Sequence, residues 1–221
     1  MHPLIEHFQQ KGGAILLRKM RQDKTIEQFP RFGEKRNRSR RVERRKRMLD
    51  LLIAVPALAA ALPFLAVSAV LVRATSEGPV VFAQTRVGKD GRPFRCYKLR
   101  TMFSGTPSVP THETSASAVT PIGYLLRRSK VDELPQLWNV IRGDMSLVGP
   151  RPCLPVQDRL ILHRTQLGVS SLKPGITGIA QARGIDMSEP LRCARADAEY
   201  LGDWSLRLDL AILGRTILPG L

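Results

Sequence analysis

The stretch Arg127 to Pro152, RRSKVDELPQLWNVIRGDMSLVGPRP, gathers the groups best suited to chemistry on a phosphate. Two adjacent carboxylates, Asp132 and Glu133, follow Arg127, Arg128 and Lys130 and precede a Gly-Pro-Arg-Pro turn that holds Arg151. A carboxylate set among bases can work on a polyanion, with a divalent metal to offset the charge. The prolines on either side of Arg151 restrict the backbone, which suits presentation of a guanidinium to phosphate. A plainer explanation stands beside this one. Acids at a helix start are ordinary capping chemistry, and either Asp132 or Ser129 can cap a helix running through LPQLWNVI. With Asp132 as cap, Pro135 falls in the first turn; with Ser129 as cap, it lies deeper and bends the helix. Gly143 is the natural stop.

Other elements must position these groups. Lys173-Pro174-Gly175-Ile176-Thr177-Gly178 is a second glycine-rich turn, able to offer backbone amides and a lysine. Val80–Gln84 and Phe94–Thr101 read as two strands joined through a turn at Gly88–Gly91. Strand alternation puts Lys98 and Arg100 on one face, making both candidate anion ligands; a solvated edge strand is the alternative. Residues 104–120 are rich in Ser, Thr and Pro and read as a surface loop. Helices are expected from Pro121 to Arg127, Leu154 to Leu167 and Pro190 to Leu201. The amphipathic stretch Ser205–Leu218 suits the core or a membrane interface. The fold class is α/β, mostly helical with a small β-hairpin.

Composition narrows the setting. The 221 residues allow one globular domain and an appendage. Cys96, Cys153 and Cys193 are an odd number with no metal-ligand spacing, which argues against a disulfide framework and a zinc site. The formal net charge is +16, and residues 1–47 hold 15 basic and 5 acidic side chains of it. Charge alone does not separate nucleic acid from anionic lipid as the partner of this arm. Position does, because the run KRNRSRRVERRKR ends at the most apolar segment of the chain. Anionic membrane lipid is therefore expected, and nucleic acid is not. A tail without structure is the alternative for the arm.

Leu51 to Val72 carries no charged residue across 22 positions, with Asp50 at its entrance and Arg73 at its exit. As a helix it measures about 33 Å, enough to cross the hydrocarbon of a bilayer. Pro63, near its middle, removes a backbone donor and is expected to kink or break it. Basic residues flank both ends, so the positive-inside rule favours keeping both on one side. A proline-broken re-entrant helix satisfies both observations, and a kinked single span is the alternative. The expected organisation is a basic arm at 1–47, a membrane-inserted helix at 48–73 and a catalytic domain at 74–221.

Taken in order, these segments resemble the bacterial sugar transferase family of monotopic polyprenyl-phosphate phosphoglycosyltransferases. The matching pieces are KRMLDLLIA, VFAQTRVGKDGRPFRCYKLRTM, LLRRSKVDELPQLWNVIRGDMSLVGPRP, KPGITGIAQARG and DAEYLGDWSLRLDLAIL, spanning about 46–218. The resemblance implies transfer of sugar-1-phosphate from a UDP-sugar to polyprenyl (undecaprenyl) phosphate, with release of UMP. That would initiate exopolysaccharide, capsule or O-antigen synthesis at the cytoplasmic face of the bacterial inner membrane, before downstream glycosyltransferases. It implies Asp132 as nucleophile through an aspartyl phosphosugar, Glu133 as its partner, and both near Mg²⁺. Arg127, Arg128, Arg151 and Lys98 become candidate phosphate ligands. Departures from the family pattern include Leu62 before the breaking Pro63 and Lys173 where arginine is usual. A membrane-tethered nucleic-acid binder on the arm and an inactive scaffold for glycan enzymes are the alternative functions.

Overall fold

The computed structural model describes residues 40–106 and 116–217. The expectations for the arm at 1–39 and for most of the Ser/Thr/Pro-rich loop, at 107–115, lie outside the described residues. The chain starts with a long helix, α1 (Arg40–Thr75), followed by a hairpin of β1 (Val81–Val87) and β2 (Pro93–Leu99). Next come α2 (Pro121–Arg128), a 3₁₀ turn at Val131–Glu133, α3 (Gln136–Arg142) and the short β3 (Ser146–Val148). The rest is α4 (Asp158–Gln166), β4 (Gly175–Thr177), α5 (Ile179–Ala182), α6 (Pro190–Asp203) and α7 (Leu206–Ile217). Helix dominates, as expected; the described strands form two small sheets, of which only the β1–β2 hairpin is expected from the sequence.

β1 and β2 pair antiparallel from Val81↔Leu99 to Val87↔Pro93, around a turn in which Asp90 takes a left-handed conformation (φ 55°). β3 and β4 form a parallel pair, Ser146↔Gly175 and Val148↔Thr177. The sequence showed these two segments only as separate glycine-rich turns. Their pairing needs glycine because the backbones nearly touch. A Cβ on Gly149 would lie 2.4 Å from the Lys173 carbonyl oxygen, and one on Gly175 2.1 Å from the Gly149 nitrogen. Asn139, fully buried on α3, acts as a substitute strand partner for β2. Its Oδ1 accepts from the Tyr97 amide at 3.0 Å and its Nδ2 donates to the Arg95 carbonyl at 2.7 Å. That clip fixes the strand bearing Lys98 against the segment bearing the acid pair.

Helix α1 carries helical structure through Pro56 and Pro63. No break into two helices is seen at Pro63, contrary to the sequence expectation. Each proline removes one donor only, and the surrounding apolar turns retain theirs. A stripe along α1 is buried: Asp50, Ala54, Ala61, Ser68 and Val72. Ala54 joins the main core with Leu137, Val140 and Leu147, and Val72 packs with Leu99 and Leu126. The opposite face exposes Leu52, Val55, Leu62, Phe64, Val67 and Val70.

Polar ties fix both ends of α1 to the same folded unit. Lys46 reaches Asp209 of α7 at 2.8 Å. Arg47 donates to the Val140 and Ile141 carbonyls at the end of α3, a favourable place for a cation. Asp50 accepts from the Ser146 hydroxyl and from the Leu147 amide at 3.0 Å. At the far end, Arg100 donates to the Ser76 carbonyl at 2.7 Å and to its hydroxyl at 2.9 Å.

Candidate active site

The acid pair does not cap a helix. α2 is capped at its start by Thr120, whose Oγ1 accepts from the Gly123 amide at 2.9 Å. It ends at Ser129, whose hydroxyl turns back to the Leu125 and Leu126 carbonyls. Lys130 then takes a left-handed conformation (φ 56°), uncommon for a residue with a side chain. This bend throws Val131–Glu133 into a separate 3₁₀ turn, and α3 begins after Pro135 with no side-chain cap. Neither Asp132 nor Ser129 therefore serves the following helix, which corrects the capping expectation. The chain spends a strained residue to set the pair apart from both helices.

The two acids meet opposite environments. Glu133 Oε1 accepts from Lys98 Nζ at 2.7 Å and from an Arg151 guanidinium nitrogen at 2.7 Å. Burial would raise the Glu133 pKa, but Arg151 and Lys98 outweigh it and hold the group at about 2. Asp132 is only 6% exposed and makes no hydrogen bond among the described residues. Burial pushes its pKa up to about 6, and Glu133 adds to this against the pull of Lys98, Arg127 and Arg151. One carboxylate is locked in the ionised form; the other titrates close to neutrality.

A cleft of about 1090 Å³ opens beside the pair. Glu133, Lys98 and Arg151 line it near the acids, together with Arg86 and Lys130, while Arg215 and Asp186 line it elsewhere. Asp132 is not among the lining residues, although its neighbours Val131 and Glu133 are. The cleft is therefore cationic, and large enough for a nucleotide-sized ligand.

The structure gathers some of the candidate ligands and separates others. Lys98 and Arg151 converge on Glu133. Arg127 is held by its Nε bond to the Thr101 hydroxyl at 2.9 Å and acts on Asp132 by its charge. Arg128 is exposed on the last turn of α2 and does not line the cleft. Arg100 does not follow Lys98 to the site. It is buried and bound to Ser76, because β2 ends at Leu99 and the chain turns away. Lys173 also lies elsewhere, near Arg47 and Gly143, and the amide of Gly175 is already used by the Pro150 carbonyl. Asp50 ties α1 to β3, and Pro63 lies on the exposed side of α1.

Sequence reasoning missed three residues that shape the site. Arg86 lines the cleft and donates to the Pro152 carbonyl at 3.0 Å. Arg164 donates to the Arg151 carbonyl at 2.8 Å and pairs with Asp197 at 2.7 Å. Arg86 stood in the strand motif without a visible partner, and no local spacing links Arg164 to Asp197.

The acid pair is also a candidate seat for Mg²⁺. Among the described residues no three His, Cys, Asp or Glu side chains come together. An all-protein cage is thus not formed. Among the described residues, however, the carboxyl of Asp132 and Oε2 of Glu133 have no hydrogen-bond partner, and both are hard oxygen donors. One or two carboxylates completed by substrate phosphates is an ordinary arrangement for Mg²⁺, so the residues fit.

A family model described as bacterial sugar transferase matches residues 41–221. The UDP-glucose:undecaprenyl-phosphate glucose-1-phosphate transferase of Caulobacter vibrioides is 41% identical over 185 residues, covering 80% of this chain and 69% of that protein. The protein of the same name in Escherichia coli K12 is 38% identical, over 79% of this chain and 40% of its own length. The exopolysaccharide production protein ExoY of Sinorhizobium fredii is 37% identical, over 78% of this chain and 83% of its own. The chain belongs to the bacterial sugar transferase family and is an enzyme of the sugar-phosphate transferase class. It spans less than half the length of the Escherichia coli relative.

Proposed function

We propose that this protein transfers sugar-1-phosphate from a UDP-sugar to undecaprenyl phosphate, releasing UMP, at the cytoplasmic face of the inner membrane. The observation that carries the reading is Asp132: buried, without a hydrogen bond among the described residues, with a pKa raised to about 6, and adjacent in the chain to two residues that line a cationic cleft. A carboxylate of raised pKa is both mostly ionised at pH 7 and a stronger nucleophile than an ordinary one. An Asp132 oxygen attacks the sugar-bearing phosphorus; the bond from that phosphorus to the UMP oxygen breaks and UMP leaves. An oxygen of undecaprenyl phosphate then attacks the same phosphorus, the bond to Asp132 breaks, and the carboxylate is restored. The product is an undecaprenyl diphosphate sugar.

Lys98 and Arg151 keep Glu133 ionised and lie where they can share their remaining donors with phosphate oxygens. A Mg²⁺ ion held by Asp132 and Glu133 would neutralise charge on the diphosphate. Purified protein with a panel of UDP-sugars, Mg²⁺ and undecaprenyl phosphate tests the reading. UMP release is expected in wild type and absent in Asp132→Asn. Equal release from both removes Asp132 as nucleophile. Chelation should abolish release and added Mg²⁺ restore it.

For topology, we propose that α1 enters one leaflet and does not cross. Asp50 and Ser76 both dock on the same folded unit, although about 39 Å of helix separates them. A crossing helix would leave these two ends on opposite sides of the hydrocarbon.

A further inference from the structure

We propose that Arg164 and Asp197 are positioning residues for the transfer, acting through the main-chain carbonyl of Arg151; this rests on the function proposed above. The turn that presents Arg151 is poor in backbone donors. Pro150 and Pro152 have no N–H, and Pro152 restricts Arg151 to extended conformations. The turn's orientation therefore depends on what binds its carbonyl groups, and those of residues 150–153 each have a donor. The Pro150 carbonyl accepts from the Gly175 amide at 2.9 Å, and the Cys153 carbonyl from the Val87 amide at 3.0 Å. Between them, Pro152 is held by Arg86 and Arg151 by Arg164 Nη1 at 2.8 Å. The carbonyl of the residue that grips Glu133 is thus fixed by a side chain, not by a strand ladder.

Arg164 has no freedom to contact a substrate itself. Its Nε and Nη2 both bind Asp197 Oδ2, at 2.9 and 2.7 Å, and Nη2 also lies 3.8 Å from Cys193 Sγ. Arg164 is 7% exposed and Asp197 1%. Cys193 lines the cleft, so the pair sits one side chain behind its wall. Stability alone is a weak reason for a buried ion pair, since apolar replacement is often neutral. The third bond, to the Arg151 carbonyl, gives this one a geometric task. The planar fork of arginine binds carboxylate and carbonyl together; lysine cannot.

A double-mutant cycle tests the proposal. Arg164→Lys is expected to lower kcat at least about tenfold with donor KM changed little, since ~1 Å of misplacement can cost ~100-fold. In an Arg151→Lys background the same change should alter kcat by less than about twofold, because its route of action is gone. Asp197→Asn should behave likewise. Equal factors in both backgrounds, or a wild-type rate in Arg164→Lys, would overturn the proposal. Amide exchange supplies a reading independent of activity: Gly149, Arg151 and Cys153 should exchange faster in Arg164→Lys than in wild type. Unchanged exchange there also overturns it. A wild type that releases no UMP from any UDP-sugar sinks the proposed function instead, and leaves the exchange result to decide whether the pair holds the turn.

Discussion

Lys98 on β2 and Arg151 in the turn after β3 donate to the same oxygen of Glu133, each at 2.7 Å. Two cations on one carboxylate oxygen leave its neighbour, Asp132, as the acid whose charge is not matched by a direct bond. The division of labour between adjacent residues follows from that asymmetry.

Asp132→Asn should remove transfer and raise stability at the same time. At neutral pH the fold must keep a buried, unbonded carboxylate ionised. A pKa moved from 3.8 to about 6 corresponds to roughly 2–3 kcal/mol against the folded state at pH 7, an upper limit. An increase in Tm accompanying loss of UMP release is the expected result, read by thermal unfolding.

The pH dependence follows with its sign. The Asp132 pKa is raised on folding, so its contribution to stability is full below pH 3.8 and is lost as pH rises through about 6. Single-turnover transfer should change the opposite way, falling as pH drops through about 6 and the proposed nucleophile is protonated. Glu133 is depressed from 4.5 to about 2, so its stabilisation is present above 4.5 and is lost only as pH falls towards 2. A rate profile flat from pH 4 to 7 would contradict this pairing of roles.

Lys98→Met and Arg151→Met should each destabilise the fold and reduce activity. Each leaves Glu133 with one partner. Both cations are partly exposed, so the loss is put at about 1–2 kcal/mol, below that for a fully buried pair. Adding Glu133→Gln should restore stability, measured by urea unfolding, without restoring transfer.

Topology is open to direct labelling. Arg44 and Glu77 are exposed near the two ends of α1, and the three native cysteines are buried. Arg44→Cys and Glu77→Cys should react with an impermeant thiol reagent from the same side of sealed vesicles. Reaction from opposite sides would establish a crossing helix.

Much of this arrangement is legible in the sequence, for physical reasons. The apolar run, the hairpin around Gly88–Gly91, the helix start at Pro121 and the stop at Gly143 follow local rules that need no tertiary partner. The acid pair and Arg151 stand out by charge and by proline. Arg100 shows where such reading fails: strand parity groups it with Lys98, but the strand ends between them. Lys173 fails differently, because its turn is taken up in pairing with Gly149, a contact between distant backbones. Arg86, Arg164 and Asp197 gain their roles only when separate elements pack, so no spacing announces them.

The burial of Ala54 among Leu137, Val140 and Leu147 bears on how this enzyme can be handled. The long apolar helix α1 is at its root a core helix, and Lys46, Arg47 and Asp50 fasten it there. Cutting the chain after Ser76 to obtain a water-soluble version would remove a wall of the interior and strip hydrogen bonds from Ser146, Leu147 and the end of α3. Solubility is better sought on the outer face of the same helix, at Leu52, Val55 and Val67, where polar substitutions leave the interior closed.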